Sequence, residues 1–302
     1  MPDIFMRAGA FIAIILLGFF LKQIGFFKQD DFSLLAKITI RITLPCAIIT
    51  SFAGKTINPA MLSLTVLGFG CGLLYISIGY LRNLQGSRDA QAFEMLNLSG
   101  YNVGNFVLPF AQNFLGPLGV LSVSLFDTGN AVICLGGAYS LAAMVKDGTG
   151  FSAKRIVLAL AKSVPFVCYL TILLMNLLSI QVPAFVLSFA GIGSSANSFL
   201  AMLMIGVGFK LNRNRTQLLT VLKLLSIRYG VALALSVFCY FLLPFAAEVR
   251  QALVILLCSP IATAVPGFTS ELKGDVGLSS AMNSISIIIS IVITVTFLSV
   301  IS

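Results

Sequence analysis

Long runs of apolar residues alternate along the chain with short polar or charged segments. Each run is close to the roughly 20 residues that a helix needs to cross a bilayer core about 30 Å thick. The pattern therefore predicts an all-α integral membrane protein with ten transmembrane helices. The predicted spans are 5–26, 32–53, 60–81, 91–114, 118–144, 157–179, 184–209, 218–243, 249–270 and 276–300.

The composition agrees with a position in the lipid bilayer. Hydrophobic residues make up 58% of the chain and charged residues only 10%, whereas about a quarter of a soluble domain is charged. The net charge of +9 is scattered over short loops and forms no basic face, so nucleic acid is not an expected partner. The six cysteines lie in apolar runs without CxxC spacing, so we expect neither disulfide nor metal site, and no cofactor.

Lysine and arginine residues concentrate in alternate loops, which orients the chain because positively charged short loops stay in the cytoplasm. Loops after odd-numbered spans contain eleven such residues, and the opposite side contains three. With an even number of spans, both termini of a multi-pass plasma membrane protein lie outside the cytoplasm. The longest connection is a cytoplasmic joint at 146–156, which separates five spans in 1–145 from five in 157–302.

Helix-breaking residues interrupt two of the apolar runs. The segment from Asn102 to Pro109 contains two asparagines, a glycine and a proline, and the segment from Pro260 to Phe268 contains two prolines. Such residues free backbone groups that hydrocarbon cannot satisfy, so these breaks persist only where they face protein or a watery cavity. Paired breaks in the two halves of a membrane protein point to a transporter binding site.

A weak internal repeat relates the two halves. Phe110 lies 158 residues before Phe268, and the same offset relates Gly116 to Gly274, both just after the broken segments. An odd number of spans in each half turns the second copy upside down. The sequence thus predicts an inverted repeat of five plus five helices, with helices 4 and 9 broken.

The order Asn102, Pro109 and Gly116 in the fourth span resembles the auxin efflux carrier family and its plant PIN-formed relatives. The resemblance extends over the ten spans, the second proline-containing break and the basic midpoint loop. It implies a fold similar to that of the bile acid sodium symporters, in which helices 4 and 9 unwind and cross at the midplane beside the substrate. Related plant proteins act as dimers, which leaves a homodimer open for this chain.

At such a crossing, half-helix N-termini offer N–H groups to a carboxylate, and C-termini offer carbonyl oxygens. Asparagine and threonine side chains both donate and accept hydrogen bonds, and proline leaves an upstream carbonyl unpaired. Alternatively, the prolines only kink packed helices and the asparagines satisfy the freed backbone. The predicted substrate-binding residues are Asn102, Gly104, Asn105, Pro109, Pro260, Thr263, Pro266 and Arg41.

Asp127 lies inside the fifth span, close to Thr128 and Asn130. Carboxylates within a membrane are costly and usually mark ion or proton paths. We therefore assign ion coupling to Asp127 and Asn130. The alternatives are a structural salt bridge or an interfacial carboxylate, and the sequence does not distinguish H⁺ from Na⁺.

Two pairs of basic residues enter the predicted spans. Lys37 and Arg41 are four residues apart and share one helical face. Arg41 either pairs with Asp127 or receives an anionic substrate, or else extends its side chain to the membrane surface as lysines and arginines do. Lys223 and Arg228 pose the same choice, and surface extension is favoured for Lys223.

Together, these features favour a secondary active transporter, an efflux carrier or exchanger that moves a small organic anion by alternating access and uses an ion gradient. The alternatives are a sodium-coupled symporter of sterol-like anions, a passive channel, or a sensory module that binds its ligand without transporting it. An enzyme is not expected. The chain has no histidine and no Walker motif, and only one aspartate lies well inside a span.

Overall fold

The computed structural model describes residues 2–28, 31–55, 57–148, 150–209 and 215–301, and every regular element in this part of the chain is helical. The α-helices are α1 (Pro2–Gln23), α2 (Asp31–Ile38), α3 (Leu44–Phe52), α4 (Ser63–Arg82), α5 (Arg88–Leu98), α6 (Leu108–Phe114), α7 (Pro117–Val132), α8 (Ala138–Asp147), α9 (Ala153–Lys162), α10 (Val164–Leu177), α11 (Ala184–Gly208), α12 (Arg215–Leu242), α13 (Ala247–Leu257), α14 (Val265–Glu271) and α15 (Val276–Ile301). One 3₁₀ turn, Pro59–Leu62, precedes α4.

Seven of the described helical stretches are long and apolar enough to cross a membrane, or eight if α9 and α10 form one bent span. By length and composition, the chain is therefore an integral membrane protein. The predicted span 157–179 corresponds to two helices, α9 and α10, which meet at an angle of 81° and pass as one bent span. Pro165 lies in the first turn of α10, where its ring prevents a helix from running through Ser163.

Short π-helical turns join several of the α-helices. Thr39–Thr43 connects α2 to α3, and Val103–Val107 leads into α6. Each turn is followed by a proline at the second position of the next helix, Pro45 or Pro109. A local π-turn accommodates the missing N–H and the bulky ring without interrupting the helix. Pro109 therefore does not break its span, contrary to the sequence-based expectation.

The helices pack into two groups. In the first group, α1 and α3 pack along α11, and α10 packs on α3. In the second group, α4 packs on α5 and α7, α7 on α6 and α13, α5 on α8 and α14, α12 on α13, and α15 on α12 and α14. Contacts between the groups are sparser and run mainly from α11, α3 and α10 to the middle of the second group.

Glycines set the closest helix contacts in both groups. A Cβ atom on Gly206 of α11 would lie 2.0 Å from the Ile15 carbonyl oxygen of α1. In the second group, a Cβ atom on Gly68 of α4 would lie 2.2 Å from the Phe126 carbonyl oxygen of α7. Helices in membranes associate through such small residues because lipid offers no hydrophobic driving force. The backbones of α4 and α7 touch because Gly68 has no side chain.

Replacing Gly68 with alanine is expected to destabilise the protein by about 1–3 kcal/mol, because the methyl group forces α4 away from α7. Gly70→Ala on the same helix is the matched control, since no atom lies within 4 Å of a Cβ at that position. Thermal unfolding in detergent compares the two variants. Equal stabilities would contradict the assignment of Gly68 to a close backbone contact.

Candidate functional site

The two interrupted segments meet inside the second group. Residues 99–102 separate α5 from the turn before α6, and residues 258–264 separate α13 from α14. The backbone N–H of Asn102 donates a hydrogen bond to the carbonyl oxygen of Pro260 at 2.9 Å. Both segments are buried around this contact. We call this place the crossing.

Asn130 of α7 satisfies the backbone of the first interruption. Its side-chain oxygen accepts the Tyr101 N–H at 3.1 Å, and its NH₂ group donates to the Tyr101 carbonyl at 3.0 Å. The Asn130 side-chain amide therefore forms hydrogen bonds with both backbone groups of Tyr101, which lies outside the regular helix. Asn130 itself is 2% exposed, so no solvent competes for these bonds.

Side chains of the long helix α15 form hydrogen bonds with the backbone of the second interruption in a similar way. Asn283 donates to the Ile261 carbonyl at 2.9 Å, and the Ser286 hydroxyl accepts the Ile261 N–H at 3.1 Å. Ser290 donates to the Cys258 carbonyl at 2.7 Å. In both halves, the helix that follows the interrupted stretch thus supplies the side chains that its backbone needs.

Asn102 and Asn105 are buried beside the crossing, where the turn Val103–Val107 packs against α11 and the turn Thr39–Thr43. Asn102 Nδ2 and Asn105 Oδ1 make no hydrogen bond within the described residues. Two further buried atoms on the neighbouring elements, Thr39 Oγ1 and Asn197 Nδ2, are also unpaired there. Unpaired polar atoms are costly in a dry interior, so this cluster is suited to a polar ligand.

The other predicted residues of the first interruption pack against protein. A Cβ atom on Gly104 would lie 2.7 Å from the Leu44 side chain of α3. Gly104 therefore allows the first helix group to approach the crossing closely. Pro109 is buried in α6.

A cavity of about 500 Å³ lies between the two helix groups. Thr263, Pro266 and Asn283 line it on the side of the crossing, and Lys22 and Lys28 lie among its walls on the side of the first group. We call it the lysine cavity. Its volume is within the usual range for small-molecule sites.

A second cavity, of about 530 Å³, lies between the same groups at the opposite end of the α2–α3 stretch. We call it the serine cavity because Ser194, Ser195 and Ser198 line it together with Gln112 and Thr50. Ser194 accepts hydrogen bonds from Gln112 at 3.1 Å and from Thr50 at 3.0 Å. The Gln112 bond joins α6 of the second group to α11 of the first group, and the Thr50 bond joins α3 to α11 within the first group.

Asp127 is held by neutral partners. Tyr169 of α10 donates its hydroxyl to Asp127 Oδ2 at 2.9 Å, and Asn130 donates to Oδ1 at 2.9 Å. Of the alternatives for Arg41, the pairing with Asp127 is not seen, because Arg41 is exposed and takes part in none of the ion pairs of the described residues. Through Asn130, the Asp127 carboxylate is one side chain away from the backbone of the crossing.

Arg228 of α12 is the important residue that the sequence-based selection omitted. It is 1% exposed, and its guanidinium group donates to the Leu98 and Gly100 carbonyls of the first interruption and to the Ser259 and Pro260 carbonyls of the second. The sequence already contained one signal, a basic residue more than a turn deeper than Lys223. It gave no means to separate Arg228 from Arg41.

No protein-family model and no curated protein sequence matches this chain.

Replacing Asn130 with alanine is expected to raise amide hydrogen exchange at residues 99–102 and to destabilise the protein by about 2–4 kcal/mol. The Tyr101 N–H loses its Asn130 acceptor, and the Tyr101 carbonyl keeps only the weak Cys134 thiol donor, at about 1–3 kcal/mol for each unsatisfied group. Thr128→Val is the matched control, because its hydroxyl bonds only to the Ser124 carbonyl within α7. Exchange measured by mass spectrometry should not change at the crossing in this control. A similar rise in both variants would contradict the role of Asn130.

Proposed function

We propose that this chain is a secondary active transporter of a small organic anion, with its binding site at the crossing. The observation that carries the proposal is the Asn102–Pro260 hydrogen bond, which joins two interrupted stretches next to the lysine cavity. Interrupted helices that meet in the interior of a bundle are typical of transporter sites. The resemblance to auxin efflux carriers supports the same function.

We interpret the helical stretches as ten spans in an inverted five-plus-five repeat. The seven long stretches, the α9–α10 pair and the two interrupted stretches give ten, in the order that the sequence predicts. The support for the repeat comes from the way each interruption is hydrogen-bonded. Asn130 pairs the backbone at Tyr101 and Asn283 pairs it at Ile261, each from the helix after the interruption.

An anion fits this site better than a cation or a neutral molecule. Lys22 and Lys28 give the lysine cavity a positive potential, which concentrates anions at its mouth. The N–H groups at the start of the stretch Val103–Phe114 and the Asn102 amide are donors for a carboxylate. A sodium-coupled symporter of sterol-like anions would require more acidic ion ligands around the crossing than Asp127 alone provides.

Alternating access is supported by the positions of the two cavities. Both lie between the same two helix groups but at opposite ends, so a rocking motion that closes one opens the other. The Tyr169–Asp127 hydrogen bond bridges the groups, since Tyr169 belongs to α10 and Asp127 to α7. Ion binding at Asp127, by H⁺ or Na⁺, would therefore act directly on the contact between the groups.

Purified protein in proteoliposomes is expected to show saturable flux and counterflow for at least one of a panel of small carboxylates. Thr263→Val should raise the apparent KM about tenfold, because a hydrogen bond to a charged group contributes about 1.5 kcal/mol. Thr220→Val at an exposed position of α12 is the control. Binding without flux would favour a sensory module, and flux without saturation or counterflow would favour a channel.

Asp127→Asn is expected to abolish the stimulation of flux by a pH or Na⁺ gradient while counterflow continues. Asparagine keeps the size of the side chain and can still accept the Tyr169 hydroxyl, but it cannot bind a proton or a cation by charge. Asp89→Asn serves as control, because Asp89 is exposed and pairs with Lys146. A variant that still responds to both gradients would show that Asp127 is not the coupling residue.

A further inference from the structure

The guanidinium group of Arg228 lies where the C-terminal ends of two helices meet. Its Nη1 donates to the Leu98 carbonyl, and its Nη2 lies 2.9 Å from the Gly100 carbonyl oxygen, 3.3 Å from that of Ser259 and 3.5 Å from that of Pro260. The first two carbonyls lie at the C-terminal end of α5 or just after it, and the last two lie just after the C-terminal end of α13. Arg228 is therefore the one side chain seen to bond with both interruptions in the described part of the chain.

This arrangement leaves a buried charge without a carboxylate partner. The salt bridges among the described residues do not include Arg228, although a buried ion costs several kcal/mol when it is unpaired. Each helix C-terminus carries the equivalent of about half a negative charge, so two such ends together balance about one positive charge. The helix ends of α5 and α13 thus act as the counter-charge of Arg228.

Clusters of unwound carbonyl oxygens and helix C-terminal ends are also the groups with which transporters coordinate Na⁺. We propose that the guanidinium group of Arg228 is the resident cation of the crossing. It occupies the place where a free monovalent cation would otherwise bind, and it is covalently attached to the chain. The carbonyls of Leu98, Gly100, Ser259 and Pro260 form this cation site. The chain therefore needs no ion from solution to hold its two interruptions together.

The surroundings favour arginine over lysine. The aromatic rings of Tyr75 and Tyr101 lie 5.1 Å and 5.2 Å from the guanidinium carbon, within the range of cation–π attraction. The Tyr75 hydroxyl donates to the Arg228 backbone carbonyl at 2.8 Å, which holds the α12 backbone at Arg228 against Tyr75. A planar fork with several donors reaches carbonyls on both sides, whereas an ammonium group is a compact point charge.

One consequence rests on the proposed function. If the chain transports an anion at the crossing, Arg228 neutralises the carbonyl ends permanently and leaves the N–H end of the stretch Val103–Phe114 for the substrate. Flux should then not depend on Na⁺ binding at these carbonyls. Any ion coupling would fall to Asp127.

Chemical rescue of Arg228→Ala in the purified, full-length protein tests the cation site without substrate. The variant is expected to melt about 10 °C below the wild type, because four buried carbonyls lose their cation. Methylguanidinium in the millimolar range should recover at least half of this loss, and NaCl should recover part of it relative to choline chloride. Neither salt should stabilise the wild type, whose site contains Arg228.

Two variants serve as controls for this experiment. Arg228→Met fills the space without a charge, so it should lose stability and resist rescue by methylguanidinium. Lys223→Ala on the exposed face of α12 should melt like the wild type. If Arg228→Ala melts within about 2 °C of the wild type, or if methylguanidinium stabilises all four proteins alike, the proposal is wrong.

If the Arg228→Ala variant does not fold, Arg228→Lys tests the cation site instead. A lysine keeps the charge but reaches fewer carbonyls, so amide exchange should rise at 98–102 and 258–262 and remain unchanged along α12. A rise spread along α12 would indicate a packing role and overturn the proposal. Flux that still requires Na⁺ after Asp127→Asn would refute only the consequence for transport, whereas absence of all flux would refute the proposed function and leave the melting experiment valid.

Discussion

Backbone polar groups cannot remain unpaired in the interior of a membrane protein, and this constraint governs the crossing. Two helices stop there, so several N–H and carbonyl groups need partners that a regular helix would have supplied. Asn130, Asn283, Ser286 and Arg228 provide them from three different helices. The interruptions are therefore stable only together with α7, α12 and α15, which makes the crossing a property of the whole second group.

The distribution of partners divides the crossing into two electrostatically different sides. Carbonyl ends face Arg228, while the Asn102 amide and Thr263 lie beside the N–H ends of the stretches that follow, which carry partial positive charge. Two helix C-termini and two N-termini in one place would otherwise cancel. Because a buried guanidinium occupies one side, the remaining dipoles favour negative charge on the other.

The sequence predicted the helical stretches well because apolar length is a local signal, and the ends of α11 and α15 lie within about two residues of the predicted spans. It misplaced the first interruption at Pro109, because a π-turn can absorb a proline while Gly100, with a φ of 76°, ends the regular helix. Arg41 and Arg228 look alike in the sequence, each a basic residue between two and three helical turns inside a predicted span. Only the packing of α12 against both interruptions distinguishes the buried one.

Asp127 links the crossing to both helix groups through only two polar side chains. Its carboxylate receives Tyr169 from the first group and Asn130 from the second, and Asn130 continues directly to the backbone of Tyr101. A change in the charge of Asp127 therefore alters both the contact between the groups and the partner of the first interruption. Hydrogen bonds to a charged acceptor are roughly twice as strong as those to a neutral one, so one protonation event weakens both links at once.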